Sequence, residues 1–459
     1  MDITRLALLQ RNFFNKDTTK DISYRKNALI KLRQSLKNYE DLILQALGLD
    51  LGKSHAEAYM SEIMMAFNEI DYMLKNLNHL AKPTKVKGSI SSFPSKSVIY
   101  HEPYGVVLIF SPWNYPLQLC LLPLIGAIAA GNCALICPST VSLNVSKIIE
   151  KLINETFPKE YVHCIYTSYA NFDHYDLILA QKYDFIFFTG SERVGKVVMH
   201  AATDHLTPVV LELGGKSPCI VDETADISIA AQRIIWGKLM NAGQTCVAPD
   251  YILVHKSKKQ QLIASLISSI HKMYTENPLT DETYPKIINQ HHFHRLRALI
   301  EPYPILFGGT FDSDTLKMMP TLLDIQDFDC EIMKEEIFGP LLPILVFESL
   351  DQVILTLKQL NHPLALYLFT TSKENEKKVM RKLSFGGGCI NDTVSHIINP
   401  NLPFGGVGAS GMGAYHGKFS FATFSHQKSC LKRLNWTPSQ VGLPPYTEKT
   451  LKFMRSISK

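Results

Sequence analysis

Over the first 80 residues, apolar side chains recur at three- and four-residue intervals among Leu, Lys, Asn and Glu, with almost no Gly or Pro. That spacing puts the apolar groups on one stripe, so several amphipathic helices are expected. From about residue 98 the rhythm changes. Short apolar runs of strand length alternate with stretches at helical spacing. Strands are expected at Val106–Phe110, Cys133–Cys137, 162–166, 185–188 and 209–213, with helices near 117–130, 141–154, 172–181 and 191–202 between them. Strand–helix alternation of this kind predicts a parallel, doubly wound sheet. A second alternating block runs from about 218 to 391, residues 400–413 are dense in glycine, and the basic tail YTEKTLKFMRSISK is expected to be a frayed surface segment. No repeat or low-complexity linker interrupts the pattern.

Composition narrows the function classes. The 459 residues suggest about three domain-sized units. With 46% hydrophobic and 19% charged residues the chain is globular, and its net charge of +5 comes without a Lys/Arg block, so no nucleic-acid partner is implied. The N-terminal MDITRLALLQRNFFNKD lacks the apolar run of a signal peptide. The longest apolar run, 119–131, is interrupted by Pro123 and Gly126 and is too short for a bilayer. A cytoplasmic protein without integral membrane association is expected. Nine cysteines with no CxxC pair argue against a disulfide framework and against zinc, including at Cys133 and Cys137 in GNCALICPST.

Chemistry gathers where the elements end. Residues 183–197, YDFIFFTGSERVGKV, read as a strand, a glycine turn and a helix start. A helix N-terminus exposes unpaired N–H groups and the positive end of its dipole, so Gly190, Ser191 and Gly195 suit a phosphate. A plain turn capped by Ser191 is the alternative. The stretch nearly spells GxxxxGK[ST], but Val197 stands where a hydroxyl must reach magnesium, which disfavours a nucleotide triphosphatase and leaves a diphosphate-bearing cofactor open. Gly406-Val407-Gly408-Ala409-Ser410-Gly411 matches GxGxxG without a clear preceding strand and reads as a tight glycine loop. His291, His292 and His294 have no carboxylate or cysteine at ligand spacing, so a surface helix is expected there and no metal.

In NAGQTCVAPD, a helix ending near Met240 gives way to a loop that presents Cys246. A thiol so placed is more nucleophile-like than one inside an apolar strand, and it needs a base and an oxyanion site. Glu212, at the end of an apolar strand, suits a base if buried, because burial raises a carboxyl pKa; an edge position facing water is the alternative. Asn114 in SPWNYP offers an amide donor, or else a structural Asx turn. In KEEIFGP, Glu336 and Phe338 would face one side of an extended segment.

Taken together, PWNYP, FTGSERVGK, LELGGKSP, NAGQTCVAPD, EEIFGP and LPFGGVGASGMGAYHGK resemble the aldehyde dehydrogenase superfamily in order and spacing, over about residues 20 to 430. LELGGKSP, NAGQTCVAPD and MGAYHGKFSFATFSH look most like its class 3 and fatty-aldehyde branch and the bacterial relatives, without the hydrophobic tail of the membrane forms. The resemblance implies an α/β fold in three parts. These are a Rossmann-like cofactor domain (1–82 and 103–210), an α/β catalytic domain (211–419), and a β-hairpin oligomerisation arm with the C-terminal tail (83–102 and 420–459), assembled as a homodimer. It also implies NAD(P)-dependent oxidation of an apolar aldehyde, aliphatic or aromatic, to the acid. In that scheme Cys246 attacks the carbonyl, the Asn114 side chain and the Cys246 N–H hold the oxyanion, and Glu212 activates water. Glu336 would bind the nicotinamide-side ribose of NAD or NADP, and Phe338 would pack on that half. Gly190, Ser191 and Gly195 would face the pyrophosphate, and Ser111, Pro112, Trp113 and Leu213 belong to the same cofactor site. Tyr115 and Met240 are candidate tunnel walls.

Two departures stand out. The family strand GNxxxxKPSE usually supplies a Lys and, three residues on, a Glu to the adenine-side ribose; here those positions are Cys137 and Thr140. A charged hydrogen bond contributes ~1.5–3 kcal/mol, so weakened or re-tuned cofactor binding is expected. Without a carboxylate at 140 a 2′-phosphate meets less repulsion, so NADP would be tolerated. The next strand usually leads into a Gly-Gly loop, whereas this chain reads Tyr166-Thr167-Ser168-Tyr169-Ala170. Two other readings follow: a catalytically impaired relative, and a cofactor-independent thiol esterase using Cys246 and Glu212.

Overall fold

The structure, a computed structural model, describes residues 2–89, 92, 94–166, 173–433 and 443–457. The strands of the first alternating block form a six-stranded sheet in the order Gly411–Met412, Val209–Glu212, Phe185–Thr189, Val106–Phe110, Cys133–Cys137, Val162–Cys164. All neighbours run parallel except Gly411–Met412, which joins from far down the chain as an antiparallel edge. The central strands are buried along their whole length, as expected for uninterrupted apolar runs covered on both faces. Gln118–Ala130, apolar all round, is buried at every residue.

The chain builds outward from Val106–Phe110 through Cys133–Cys137 to Val162–Cys164, then returns to the other side of its first strand at Phe185–Thr189. This reversal opens a crevice at the carboxyl ends of the strands, the usual ligand position of an open α/β sheet. Ser111–Asn114, Gly190 and Gly214 all follow directly from those ends.

The second block forms a seven-stranded sheet in the order Ile305–Phe307, Thr321–Asp324, Leu341–Phe347, Tyr251–His255, Pro218–Val221, Ala365–Phe369, Gly387–Ile390, parallel save for its first strand. Thr84–Val86, Ser95–Pro103 and Ser425–Arg433 make a separate three-stranded antiparallel sheet.

Several boundaries differ from the sequence expectation for local reasons. The helix expected over 141–154 is Leu143–Thr156, because Asp50, at 3.2 Å and 2.9 Å, accepts the N–H groups of Asn144 and Val145 and sets its start. The helix expected at 172–181 is Asp173–Leu179, and residues 167–170 of the unusual loop lie outside the described residues. The tail is not frayed throughout: Glu448–Ile457 is helical, with the Thr447 hydroxyl accepting the Thr450 N–H at 3.3 Å. Among the described residues no helix is long and apolar enough to cross a membrane, and no group of His, Cys, Asp and Glu could hold a metal. All nine cysteines are free thiols.

Candidate active site

The helix Ile227–Leu239 ends in a short turn, Met240–Gly243, whose backbone is left-handed at three successive residues: Asn241 (φ 52°), Ala242 (φ 51°) and Gly243 (φ 76°). Such backbone at a residue with a side chain costs of order 1–3 kcal/mol and persists only where neighbours hold it. They do so here. Glu57 accepts the Asn241 N–H at 2.7 Å, and the Asn241 side chain donates to the carbonyls of Asn114 (2.8 Å) and Gln244 (3.1 Å). Gly243 lies where any Cβ would strike the Gly339 carbonyl, so only glycine fits. The turn delivers Cys246, half-buried, to the end of an apolar cavity whose walls include Tyr115, Met240, Met64, Trp236 and Ile397. Both candidate tunnel residues therefore line it.

Burial pushes the Cys246 thiol up, and the nearby carboxylates of Glu336 and Glu212 raise it further; the N–H groups of Cys246 and Val247 oppose this. Glu212 is the last residue of its strand, 2% exposed, with neither carboxylate oxygen hydrogen-bonded in the protein. Burial raises its pKa well above the ordinary carboxylate range. The water-facing alternative is thus excluded. The glycine loop packs against this strand: Gly411 pairs with Glu212, and Leu213 donates to the Ser410 carbonyl at 3.1 Å. The GxGxxG match is a tight loop, as read from the sequence.

Asn114 is 3% exposed and its carboxamide donates to the Gln244 carbonyl at 3.1 Å, two residues before Cys246. Its own carbonyl accepts from Asn241 and, at 3.3 Å, from Lys53. Lys53 forms a fully buried ion pair with Glu62 (2.6 Å), and Glu62 also accepts the N–H groups of Leu117 (2.9 Å) and Gln118 (3.1 Å). Sequence reading missed Lys53, Glu57, Glu62 and Asn241, because nothing local marks an ion pair whose purpose lies some 60 residues away. Tyr115 adds a hydroxyl bond to Thr245 at 2.7 Å.

A separate cleft of ≈ 800 Å³ has a lining that includes Ser191, Arg193, Gly214, Lys216, Glu336 and His362. Ser191 caps the helix Glu192–Thr203, its hydroxyl accepting the Val194 N–H at 3.4 Å. Lys196 pairs with Glu192 on the exposed helix face, unlike a phosphate-loop lysine. A Cβ on Gly195 would meet Leu213 at 2.9 Å, so glycine lets this helix lie close against the strand end. Glu336 is half-buried, its pKa pushed up to about 8 by burial and by Asp250, against the Gly215 N–H and the cations of Lys216 and Lys238. Glu336 and Phe338 do not lie in a regular extended segment as expected: Phe338 is left-handed at φ 51°. Its ring meets Trp113 edge-on at 5.3 Å. His292, expected on a surface helix, is half-buried with its ring 5.0 Å from Trp113, while His291 and His294 are exposed.

Ser111 is buried and Pro112 half-buried at the end of Val106–Phe110. Cys137 is 3% exposed, its thiol pushed up by burial and by Cys120 beneath it; Thr140 is half-buried. The residue at 137 is therefore a core thiol. The residues of the cleft fit a dinucleotide: a capped helix N-terminus, close glycines and a carboxylate line it together, and the Trp113–Phe338 ring pair stands two residues from that carboxylate.

A doubly wound sheet whose crevice fits a dinucleotide places the chain in the class of cofactor-dependent oxidoreductases. The chain belongs to the aldehyde dehydrogenase family, whose pattern it matches over residues 11–430, and it is an aldehyde dehydrogenase. A Staphylococcus aureus relative, 4,4′-diaponeurosporen-aldehyde dehydrogenase, is 50% identical over 449 residues, 97% of each chain. Mouse aldehyde dehydrogenase family 3 member B3 is 43% identical over 445 residues, 96% of this chain and 92% of its own. The substrate-bound structure of Staphylococcus aureus AldH shares the fold at a TM-score of 0.96 and 48% identity, covering 99% of both chains. The class 3 resemblance read from the motifs is matched by these relatives.

Proposed function

We propose that this chain oxidises an apolar aldehyde to its carboxylic acid with NAD or NADP, through a covalent bond to Cys246. The observation that carries the reading is the Cys246 thiol at an apolar cavity, on a loop held by the Asn114 carboxamide and within electrostatic reach of the buried Glu212 carboxylate, which lacks a protein partner. The cavity walls include Met64, Tyr115, Trp236 and Met240, which suit an apolar chain such as the one in the name of the Staphylococcus relative.

Cys246 attacks as the thiolate, and its sulfur bonds to the carbonyl carbon. The oxyanion that forms is held by the Cys246 backbone N–H and by an N–H of Asn114, a carboxamide that carries two and engages one with Gln244. A bound nicotinamide would supply the hydride acceptor for oxidation at this carbon, and Cys246 would then carry the acyl group as a thioester. Glu212 then takes a proton from water, which attacks the thioester; the acid departs and the thiolate is restored. Ser191 and the Gly190–Gly195 turn would face the pyrophosphate, Glu336 the nicotinamide-side ribose and Phe338 that half of the cofactor, with Trp113, Pro112, Ser111 and Leu213 around it. The sheet of Thr84–Val86, Ser95–Pro103 and Ser425–Arg433 would pair two copies as the arm of a dimer. The test is cofactor reduction across a panel of aldehydes of increasing chain length, and absence of reduction with every aldehyde rejects the reading.

Two predictions arise here. Asn114→Ala lowers kcat by about 10²–10³-fold, the usual loss of an oxyanion donor, with aldehyde KM little changed. Steady-state rates over a range of aldehyde concentration check it. The double substitution Cys137→Lys/Thr140→Glu tightens NAD binding about tenfold, from one restored charged hydrogen bond, and disfavours NADP. Titrations with both cofactors check it, and unchanged affinity for both would sink the idea that residues 137 and 140 tune the adenosine end.

A further inference from the structure

The segment that presents Glu336 and Phe338 has little hydrogen-bonded structure of its own. It follows a single short turn, Glu331–Met333, and contains the left-handed Phe338. Three side chains from elsewhere hold it. Lys216 donates to the carbonyls of Ile332 (2.9 Å) and Glu335 (3.0 Å) and pairs with Asp250. The other oxygen of Asp250 accepts the Ile337 N–H at 2.9 Å. Arg295, on the helix Gln290–Ile300, donates to the Ile337 carbonyl. These grips fall on both sides of Glu336. The carboxylate itself accepts the Gly215 N–H, next to Lys216, and fills the space that a Cβ on Gly214 would need. One loop, 214–216, thus fixes both the backbone and the side chain of the segment.

We infer that Lys216 and Asp250, assisted by Arg295, are positioning residues for the nicotinamide half of the cofactor: they set where Glu336 and Phe338 stand. This rests on the reading of Glu336 and Phe338 as cofactor contacts. Lys216 lines the cleft, yet an ammonium has three N–H groups and all three are engaged by Asp250, Ile332 and Glu335. It has no donor left for a phosphate, so its effect passes through the segment. Asp250 is 3% exposed and works in the same way.

The test compares Lys216→Met, Asp250→Asn and Arg295→Gln with Glu336→Gln in the full chain. Two readouts are taken: the NAD dissociation constant from quenching of tryptophan fluorescence, and hydrolysis of a nitrophenyl ester by Cys246 without cofactor. Loss of a charged hydrogen bond costs about tenfold or more in affinity, so Lys216→Met raises the dissociation constant by about tenfold or more while ester hydrolysis stays within about twofold. Asp250→Asn, which keeps an acceptor for Ile337, and Arg295→Gln, which loses one contact, shift it less and in the same direction; they carry the test if Lys216→Met does not fold. An unchanged constant in these variants, with Glu336→Gln raised, overturns the positioning role alone. Ester hydrolysis that falls in step with binding overturns it as well, by marking a general structural role. An unchanged constant in Glu336→Gln removes the reading of Glu336, and this inference with it.

Discussion

Cys246→Ala abolishes aldehyde oxidation, with kcat lower by at least about 10⁴-fold, as for removal of a covalent nucleophile. No other described thiol can take its place. Cys120, Cys133, Cys137, Cys164 and Cys219 are buried in the core, and neither Cys330, Cys389 nor Cys430 lines the apolar cavity. Cofactor affinity should be nearly unchanged, because Cys246 does not line the cleft that holds Ser191 and Glu336. Cofactor reduction and fluorescence titration on the same preparation separate the two effects. Residual oxidation within about tenfold of wild type would remove the thiol from the mechanism, since a covalent nucleophile contributes far more than that.

The second large effect belongs to Glu212→Gln. It should leave thioester formation largely intact and slow its hydrolysis by about 10²–10⁴-fold, the usual contribution of a positioned base. Rapid mixing would then show a burst of reduced cofactor equal to the enzyme concentration, followed by slow turnover. Loss of the burst itself would assign Glu212 to the thiol step instead. The pH dependence has a definite sign. Burial holds the Glu212 pKa well above its ordinary value, and only the carboxylate can take a proton from water, so hydrolysis rises with pH through the raised pKa. The same shift acts on stability. The folded state keeps this proton to higher pH than the unfolded chain, so its contribution is destabilising above the unfolded value of ~4.3 and grows until the folded pKa is passed. Glu212→Gln should therefore melt higher than wild type at neutral pH and no higher in acid, below the ordinary carboxylate range. Thermal melts at two pH values check the sign.

The strand–helix alternation was legible because fully buried parallel strands leave uninterrupted apolar runs, as at Val106–Phe110 and Cys133–Cys137. The loop positions of Gly190, Ser191, Cys246 and Asn114 were legible for a related reason: each lies beyond the end of a regular element, in a loop whose composition is unusual. Boundaries were less so, since the start of Leu143–Thr156 depends on Asp50 from the N-terminal helices. The Glu336–Phe338 geometry was misjudged, because alternation in an extended chain does not foresee a left-handed residue held by Lys216, Asp250 and Arg295.

By itself the sequence determined the class of fold and singled out the thiol and its partner groups as candidates, because hydrophobic period and loop chemistry are local properties of the chain. It could also show that 137 and 140 depart from the family pattern. Only the tertiary structure decided that Glu212 is buried without a protein partner, that a Lys53–Glu62 pair lies beneath Asn114, and that Cys137 is a core thiol. Those facts depend on which distant groups share a low-dielectric neighbourhood. Desolvation and charge pairing are set by that neighbourhood, and spacing along the chain does not encode it.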